Sequence, residues 1–178
     1  MKLGFLGFFA TAVVEALKAY LAVNAEVRGD TIVYKHHCWL PGRGGGRCAG
    51  LVVPVVKAVD ELGLAEFEKA LGVLADKAKN NTLALADLQG ASTFTISNGG
   101  VYGSPLSTPI LNSAVGRHPR APQDRGPPWS PSTARVVIRP MMYSGAERDH
   151  RIVDGREAVS LVKVKQCIED PARILLEV

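Results

Sequence analysis

The spacing of apolar residues changes from segment to segment along this chain, and that change limits the possible folds more than any other feature. Residues 5–21 and 64–81 carry apolar side chains three or four positions apart, as on one face of an α-helix. Residues 25–34 predict two short strands around a Gly-Asp turn, and residues 92–97 alternate in polarity as a strand does. Because both periods occur without strict strand–helix–strand repetition, we predict an α/β fold, a two-layer sandwich with a mixed sheet.

The length of 178 residues and the hydrophobic fraction of 47% suit one domain with a substantial core, which we expect to span residues 1–178. No apolar run approaches the roughly 20 residues that a membrane-spanning helix needs, so we expect no membrane partner. The three cysteines form no paired framework, which favours a reducing compartment over secretion.

The first predicted helix begins close to the start of the chain, where a lysine precedes an apolar run. Such a run also resembles a secretory signal peptide. Glu15 and Lys18 interrupt it, and its helical spacing favours a helix that faces the core. Because no strand or cap precedes this helix, we expect the domain to be incomplete at its N-terminus.

Three further segments complete the predicted elements. Residues 50–59 predict a buried strand, and residues 134–143 predict another strand. Residues 155–171 predict a closing helix that stops before Pro171, because proline cannot continue a helix.

Two segments, residues 35–49 and 113–135, are rich in arginine, glycine and proline and show little apolar periodicity. They carry a formal charge of +6 in a chain whose net charge is +4. On face value they are long loops, which are unusual inside a compact domain. A basic RNA-binding protein would bind through them in a salt-sensitive way. The charge belongs to two inserts and not to a domain-wide face, so we expect no nucleic-acid partner.

The first of these segments contains residue types that zinc prefers: His36, His37, Cys38 and Cys48. Adjacent histidines do not easily chelate one ion, and no further cysteine or histidine pair completes a set of four ligands. We therefore predict no metal site.

The stretch "DHRIVDGREAV" places His150 shortly before the closing helix. Asp154 is a good N-cap residue, and Glu157 three positions later completes a capping box. This explains Asp154 without catalysis and leaves His150 unexplained. Spacing alone therefore leaves two alternatives open, a structural histidine and a catalytic base.

The stretch "FTISNGG" predicts a strand that ends in a sharp turn. Alternation places Phe94 and Ile96 on one face and Thr95 and Ser97 on the other. A hydroxyl displayed at such a strand end suits hydrogen bonding to a developing oxyanion. An ordinary turn is the alternative.

Several stretches together resemble the catalytic domain of the acyltransferase components of 2-oxo acid dehydrogenase complexes. They stand in family order and near family spacing: "KLGFLGFF", "AVNAEV", "GLVVPVVKAVDELGLAEFEKAL", "DLQGASTFTISNGGVYGSPLSTPILN", "RPMMY", "DHRIVDGREAV" and "EDPARILLEV". The glycine directly after Asn98 is typical of the family branch that transfers succinyl groups.

The resemblance implies a chloramphenicol-acetyltransferase-like fold. It also implies transfer of a succinyl group from succinyl-dihydrolipoyl-lysine to coenzyme A in the tricarboxylic acid cycle. His150 falls on the family's general base and Ser97 on the hydroxyl that stabilises the oxyanion. Asp154 falls on an aspartate that we interpret as holding the loop and the ring. Coenzyme A is then a substrate, the lipoyl group is carried on a separate domain absent from this chain, and the reaction needs no metal.

The resemblance further implies partners and a location. Homotrimers with active sites between subunits assemble in this family into a hollow, cubic 24-subunit core. That core works with a decarboxylase and a dihydrolipoyl dehydrogenase. The expected location is the cytoplasm of a bacterium, or the mitochondrial matrix if the source is eukaryotic.

Residues 35–49, 113–135 and 144–148 depart from the family pattern, because they stand where the family has strands. Each has about the family length and matching resumes after it, which indicates compensated shifts of the reading frame. Codons chosen for residues 144–147 and read one nucleotide later give Leu-Ala-Leu-Ser, as in the family. The loss of three strands predicts that the chain as written is poorly folded or inactive. The alternative function is thus a non-catalytic assembly fragment or an inactive misread product.

Overall fold

The computed structural model describes residues 4–41, 44–45, 51–89, 94–98, 119–120 and 142–176. Helices and strands are both present, as the predicted α/β class requires. All four strand pairs in these ranges are antiparallel.

Helix α1, Phe5–Ala19, lies at the centre of the core. The predicted helix is confirmed, and its buried side is broader than a single stripe. Phe5 at the first turn and Leu21 beyond the last are 57% and 46% exposed, although the pattern placed both toward the core. The buried residues of α1 are Gly7, Phe9, Ala10, Ala12, Val13, Val14, Ala16 and Leu17.

The predicted hairpin follows α1 after a 3₁₀ turn, Leu21–Asn24. Strands β1 (Ala25–Arg28) and β2 (Thr31–Tyr34) pair in antiparallel register. Gly29 has a φ of 60°, a left-handed conformation that glycine adopts without steric cost. The Gly-Asp turn therefore closes the hairpin as predicted.

Residues 35–41, which begin the first basic segment, make specific contacts with the rest of the fold. The interpretation of the whole segment as a long loop is therefore corrected at this end. The side-chain amide of Asn24 donates hydrogen bonds to the backbone carbonyls of Lys35 at 2.9 Å and His37 at 3.1 Å. The Lys35 side chain is 5% exposed, and its Nζ donates to Glu26 at 2.7 Å. This lysine is therefore part of the core boundary and does not belong to a solvated basic patch.

Two short strand pairs follow. Strand β3 (Leu40–Pro41) pairs with β6 (Val55–Val56), and β4 (Gly44–Gly45) pairs with β5 (Leu51–Val52). The single strand predicted over residues 50–59 is therefore wrong. Pro54 lies between β5 and β6, and since proline lacks a backbone donor it interrupts a ladder.

Helix α2, Leu64–Lys79, confirms the second helical prediction, with Phe67, Leu74 and Ala78 buried. Its first turn is closed by Glu66, whose carboxylate accepts a hydrogen bond from the Gly63 backbone N–H at 3.0 Å. Helix α3, Leu85–Leu88, follows after a short turn.

The C-terminal part of the described chain begins with a strand pair between two anomalous segments. Strand β7 (Pro119–Arg120) pairs with β8 (Gly145–Ala146). The rest of residues 113–135, and residues 134–141 of the predicted strand, lie outside the described ranges. Helix α4, Ser160–Glu169, ends before Pro171 as predicted, and helix α5, Ala172–Leu176, follows it.

The core joins α1 to side chains from four later stretches of the described chain, residues 38–40, 56–74, 94–96 and 153–167. Helix α1 packs most extensively on α4 and also on α2. Among the described residues, no helix combines the length and the apolar character needed to cross a membrane. The residues that complete the core around α1 include Leu40, Val56, Phe67, Phe94, Ile96, Val153, Val164 and Cys167.

Candidate active site

His150 lies on a tight turn between strand β8 and helix α4. The backbone carbonyl of Asp149 accepts hydrogen bonds from the N–H groups of Ile152 at 3.2 Å and Val153 at 3.0 Å. These bonds fold the chain back directly after His150. The His150 side chain is exposed as a result, so a substrate can reach it.

The two neighbours of His150 form an ion pair beside it. Asp149 accepts hydrogen bonds from the Arg151 backbone N–H and Nε, each at 3.0 Å, and from its NH2 group at 2.6 Å. This bond raises the pKa of Arg151 above its ordinary value. Charge on both sides of His150 is therefore balanced locally.

The turn is anchored in the core at Val153, which is 1% exposed. The guanidinium of Arg148 donates a hydrogen bond to the Val153 backbone carbonyl, so the residues on both sides of His150 are joined. Sequence reasoning did not identify Arg148. Its only signal was a basic residue directly before the Asp-His pair.

Asp154 caps the start of the C-terminal helical segment. Its Oδ1 accepts hydrogen bonds from the backbone N–H groups of Arg156 at 2.6 Å and Glu157 at 3.3 Å. The Glu157 carboxylate accepts one from the Asp154 N–H at 3.2 Å, which completes the reciprocal bonds of a capping box. The closing helix begins differently from the prediction, because a 3₁₀ turn, Glu157–Val159, precedes α4.

These bonds also set the charge state of Asp154. A hydrogen bond with the Glu157 side chain, together with the backbone donors of Arg156 and Glu157, holds the pKa of the Asp154 carboxyl below its ordinary value. Asp154 is therefore an anion near neutral pH, beside the loop that carries His150.

Ser97 lies in the described segment of residues 94–98, where it forms an isolated β-bridge and is half-buried. Phe94 and Ile96 are buried, as the alternation predicted. Thr95 was predicted to share the face of Ser97, but it is 4% exposed and as buried as its neighbours. Residues 94–96 are therefore covered on both faces, which a pattern of alternation alone does not reveal.

One cavity of about 110 Å³ brings the two candidate segments together. Phe94 lines it from the segment of residues 94–98, which contains Ser97. Arg148 and Val153 line it from the turn that carries His150. Helices α1 and α4 supply most of the rest of the wall, which is apolar except for Arg148 and Ser160. The remaining lining residues are Val13, Ala16, Leu17, Val23, Ala146, Ala158, Leu161 and Val164.

The structure does not join the three predicted site residues to one another directly. Within the described part of the chain, no hydrogen bond connects His150 with Ser97 or with Asp154. Their catalytic roles therefore stay predictions. What the structure shows is that His150 and Asp154 share one loop, and that this loop and the segment of Ser97 border one cavity.

The histidines and cysteines considered as zinc ligands do not form a metal site within the described ranges. No group of three or more histidine, cysteine, aspartate or glutamate side chains is placed there to hold a metal ion. His36 and His37 are exposed, whereas Cys38 is buried and its N–H donates to Asp60 at 2.9 Å. Cys48 lies outside the described residues.

Comparison with known sequences gives one family over nearly the whole chain. The profile of the 2-oxoacid dehydrogenases acyltransferase (catalytic domain) family matches residues 1–176. The dihydrolipoyllysine-residue succinyltransferase component of the 2-oxoglutarate dehydrogenase complex from Rickettsia felis is 50% identical over 99% of this chain and 43% of its own length. The component of that name from Escherichia coli is 45% identical over 100% of this chain and 44% of its own length. The chain thus spans less than half the length of these curated relatives.

Solved structures give the same fold. A probable dihydrolipoamide acetyltransferase from Listeria monocytogenes superposes with a TM-score of 0.87 at 30% identity, over 94% of this chain and 70% of its own. Chloramphenicol acetyltransferase, at 14% identity and a TM-score of 0.58, covers 93% of this chain and 78% of its own and shares the fold alone. The α/β fold of chloramphenicol-acetyltransferase type is therefore confirmed.

A third structure, dihydrolipoamide acetyltransferase from Azotobacter vinelandii, bears on the site. It superposes with a TM-score of 0.89 at 25% identity, over 98% of this chain and 72% of its own. Its crystallographic and enzymatic study concerned one serine, one histidine and one asparagine in the catalytic mechanism of that enzyme. There the serine precedes the histidine by 52 positions, and the asparagine follows the histidine by four.

Proposed function

The chain belongs to the 2-oxoacid dehydrogenases acyltransferase (catalytic domain) family, and on that premise we propose that it transfers a succinyl group from a dihydrolipoyl thioester to coenzyme A. The observation that carries this proposal is the 50% identity, over 99% of the chain, to a dihydrolipoyllysine-residue succinyltransferase component. The glycine pair after Asn98 supports the succinyl branch of the family.

The proposed reaction assigns one role to each predicted site residue. His150 takes the proton from the thiol of coenzyme A, and the resulting thiolate attacks the carbonyl carbon of the succinyl thioester. The Ser97 hydroxyl donates a hydrogen bond to the oxyanion of the tetrahedral intermediate. The bond to the dihydrolipoyl sulfur then breaks, and that sulfur receives the proton from His150. No electrons are gained or lost, because one thioester is exchanged for another.

Residue types and spacing support these roles. Ser97 precedes His150 by 53 positions, and Asp154 follows His150 by four. The serine, histidine and asparagine of the Azotobacter vinelandii enzyme stand at nearly the same separations, with asparagine in the place of Asp154. In this chain an anionic Asp154 would hold the loop that carries His150 through the capping bonds described above.

We propose the family's assembly for this chain as well. Homotrimers would form a 24-subunit core and would work with the decarboxylase and dihydrolipoyl dehydrogenase components, in the cytoplasm or the mitochondrial matrix. Support comes from a structural relative, the cubic core of a pyruvate dehydrogenase complex, which superposes with a TM-score of 0.89 at 26% identity.

The proposed reaction is tested by supplying free succinyl-dihydrolipoamide and coenzyme A to the purified chain and measuring succinyl-coenzyme A by mass spectrometry. We expect kcat/KM for the succinyl donor to exceed that for acetyl-dihydrolipoamide by at least about tenfold. Ser97→Ala should lower kcat by about 10²–10³, the usual effect of removing one oxyanion donor. A preference for the acetyl donor would refute the succinyl assignment. A folded trimer that forms no product would favour the non-catalytic assembly alternative.

A further inference from the structure

A side chain from an anomalous segment connects the two sides of the turn that carries His150. Arg148 belongs to residues 144–148, one of the three segments that depart from the family pattern, and follows strand β8. Its guanidinium donates a hydrogen bond to the backbone carbonyl of Val153. The contact spans His150, because one partner lies two positions before it and the other three positions after it.

Both partners of this contact are held in place. Val153 is 1% exposed and belongs to the core, so its carbonyl is fixed relative to α1 and α4. Arg148 is half-buried and lines the same cavity as Val153. A hydrogen bond from a charged donor is stronger than one between neutral groups, and partial burial reduces competition from water.

The backbone–backbone bonds that shape the turn lack a charged partner. They run from the N–H groups of Ile152 and Val153 to the Asp149 carbonyl, at 3.2 and 3.0 Å, and both partners are neutral. Without the guanidinium, these two bonds and the bond from the Arg151 N–H to the Asp149 carboxylate would have to hold His150 at the end of an exposed turn. Of these contacts, the Arg148 bond alone joins the residue before the Asp-His pair to the buried Val153.

We propose that Arg148 is a positioning residue that orients His150 through the Val153 carbonyl. The proposal rests on the proposed function, since it assumes that His150 is the base. A base has to lie within hydrogen-bond reach of the proton it takes, and a misplacement of about 1 Å can lower a rate by about 10²-fold. Arg148 acts on catalysis only through the geometry of the turn.

The test compares Arg148→Met with Arg148→Gln, which are of similar size. Both remove the charge, but glutamine keeps an N–H donor for the Val153 carbonyl. Arg173→Met is the control for losing one arginine, since Arg173 lies in α5 on the surface. Four quantities are measured for each variant: kcat, KM for coenzyme A, the melting temperature, and the hydrogen-exchange rates of the Ile152 and Val153 amides.

We expect Arg148→Met to lower kcat by at least about tenfold, with KM changed less than about twofold and amide exchange about tenfold faster. Arg148→Gln should recover much of kcat and of the exchange protection, and Arg173→Met should resemble the parent chain. Equal losses in Gln and Met would overturn the proposal, as would a loss of kcat that only follows a fall in melting temperature.

The proposal and the proposed function fail in different ways. If the parent chain transfers no acyl group, the proposed function is wrong, and amide exchange alone decides on Arg148. Faster exchange in Arg148→Met than in Arg148→Gln would still support the contact as the support of this turn. Equal exchange in both variants and the parent would refute it.

Discussion

The carboxylate of Glu68 accepts a hydrogen bond from the backbone N–H of Gly7 at 3.1 Å, although 61 positions separate the two residues. The same oxygen, Oε1, accepts a second bond from the Gly4 N–H at 3.0 Å. The first N–H groups of a helix have no acceptor within the helix, and a negative charge is favoured there. Glu68 of α2 therefore completes the start of α1 and fastens the two helices together.

This contact predicts that a side chain at Gly7 destabilises the fold. A Cβ at Gly7 would lie 2.6 Å from Glu68 Oε1 and 2.7 Å from Leu64 Cδ1. Glu68 has to give up its hydrogen bonds in order to move. We expect Gly7→Ala to lower the free energy of unfolding by about 1–3 kcal/mol, despite the better helix propensity of alanine.

Gly72 provides the matched control, because it lies within α2 and a Cβ there would meet nothing within 4 Å. Gly72→Ala should raise the free energy of unfolding by about 0.5–1 kcal/mol. Urea denaturation of both variants checks the pair. Stabilisation by both substitutions would show that Glu68 is not held against α1.

The buried end of the Lys35 side chain makes Glu26 a determinant of acid stability. The hydrogen bond from Lys35 lowers the pKa of Glu26, and Arg28 lowers it further. Because the folded pKa is below the unfolded value of about 4.3, this bond stabilises the fold above that pH and is lost as the pH falls through the folded pKa. We expect Glu26→Gln to cost about 1–3 kcal/mol at pH 7, since it leaves the Lys35 ammonium without its carboxylate.

Denaturant unfolding of the parent and Glu26→Gln from pH 7 to pH 3 measures this dependence. The difference between them should shrink as the pH falls below about 4. Glu61→Gln is a suitable control, because Glu61 is exposed and should show little effect at any pH. A difference that stays constant down to pH 3 would contradict the assignment.

Burial makes Cys38 a poor nucleophile in the folded chain. Loss of hydration, together with the nearby Asp60 carboxylate, raises the pKa of the Cys38 thiol to about 11. At pH 8 roughly a thousandth of it would be thiolate, and the thiolate is the reactive form. We expect iodoacetamide to alkylate Cys38 at least about 10²-fold more slowly in the folded chain than in urea. Mass spectrometry measures the rate of alkylation. Equal rates would show that residues 35–41 do not pack as described.

The three anomalous segments predict a measurable defect. Short strands form at residues 40–41, 44–45 and 145–146, but each is only two residues long. A version of the chain with family-like strands restored over residues 35–49, 113–135 and 144–148 should bury more β-branched side chains. We expect it to unfold at a higher temperature and to turn over faster. Equal stability and turnover in both versions would show that the three segments do not weaken the fold.

The coding DNA tests the cause of these segments. If the reading frame has shifted and shifted back, resequencing should find single-nucleotide differences that flank the codons for residues 34–50, 112–139 and 143–149. DNA that encodes the chain as written would refute this explanation.

The sequence predicted the helices and the hairpin well, because their signals are local. The apolar spacing of α1 and α2, the Gly-Asp turn and the proline after α4 each act within a few residues. The same reasoning failed at Lys35, which was counted with a basic loop. Its burial depends on an ion pair with Glu26, nine positions earlier. The composition of a segment does not reveal ion pairs with residues outside it.

The candidate site was predictable only in part. The capping bonds of Asp154 follow from the spacing of Asp154 and Glu157, and the structure shows them. The bond from Arg148 to Val153 is local, but no known motif marks it, and the cavity that joins Phe94 to Val153 depends on the packing of distant segments. The spacing of residues therefore identified the candidate side chains, but it did not predict the contacts that hold them in position.

Steady-state turnover of the parent chain beside His150→Ala decides whether His150 is the base of an acyl transfer. His36→Ala serves as the control, because His36 is an exposed histidine of the first basic segment. With succinyl-dihydrolipoamide and coenzyme A as substrates, we expect His150→Ala to lower kcat by about 10²–10⁴ and His36→Ala to resemble the parent. Equal turnover by His150→Ala and the parent would show that His150 is not the base.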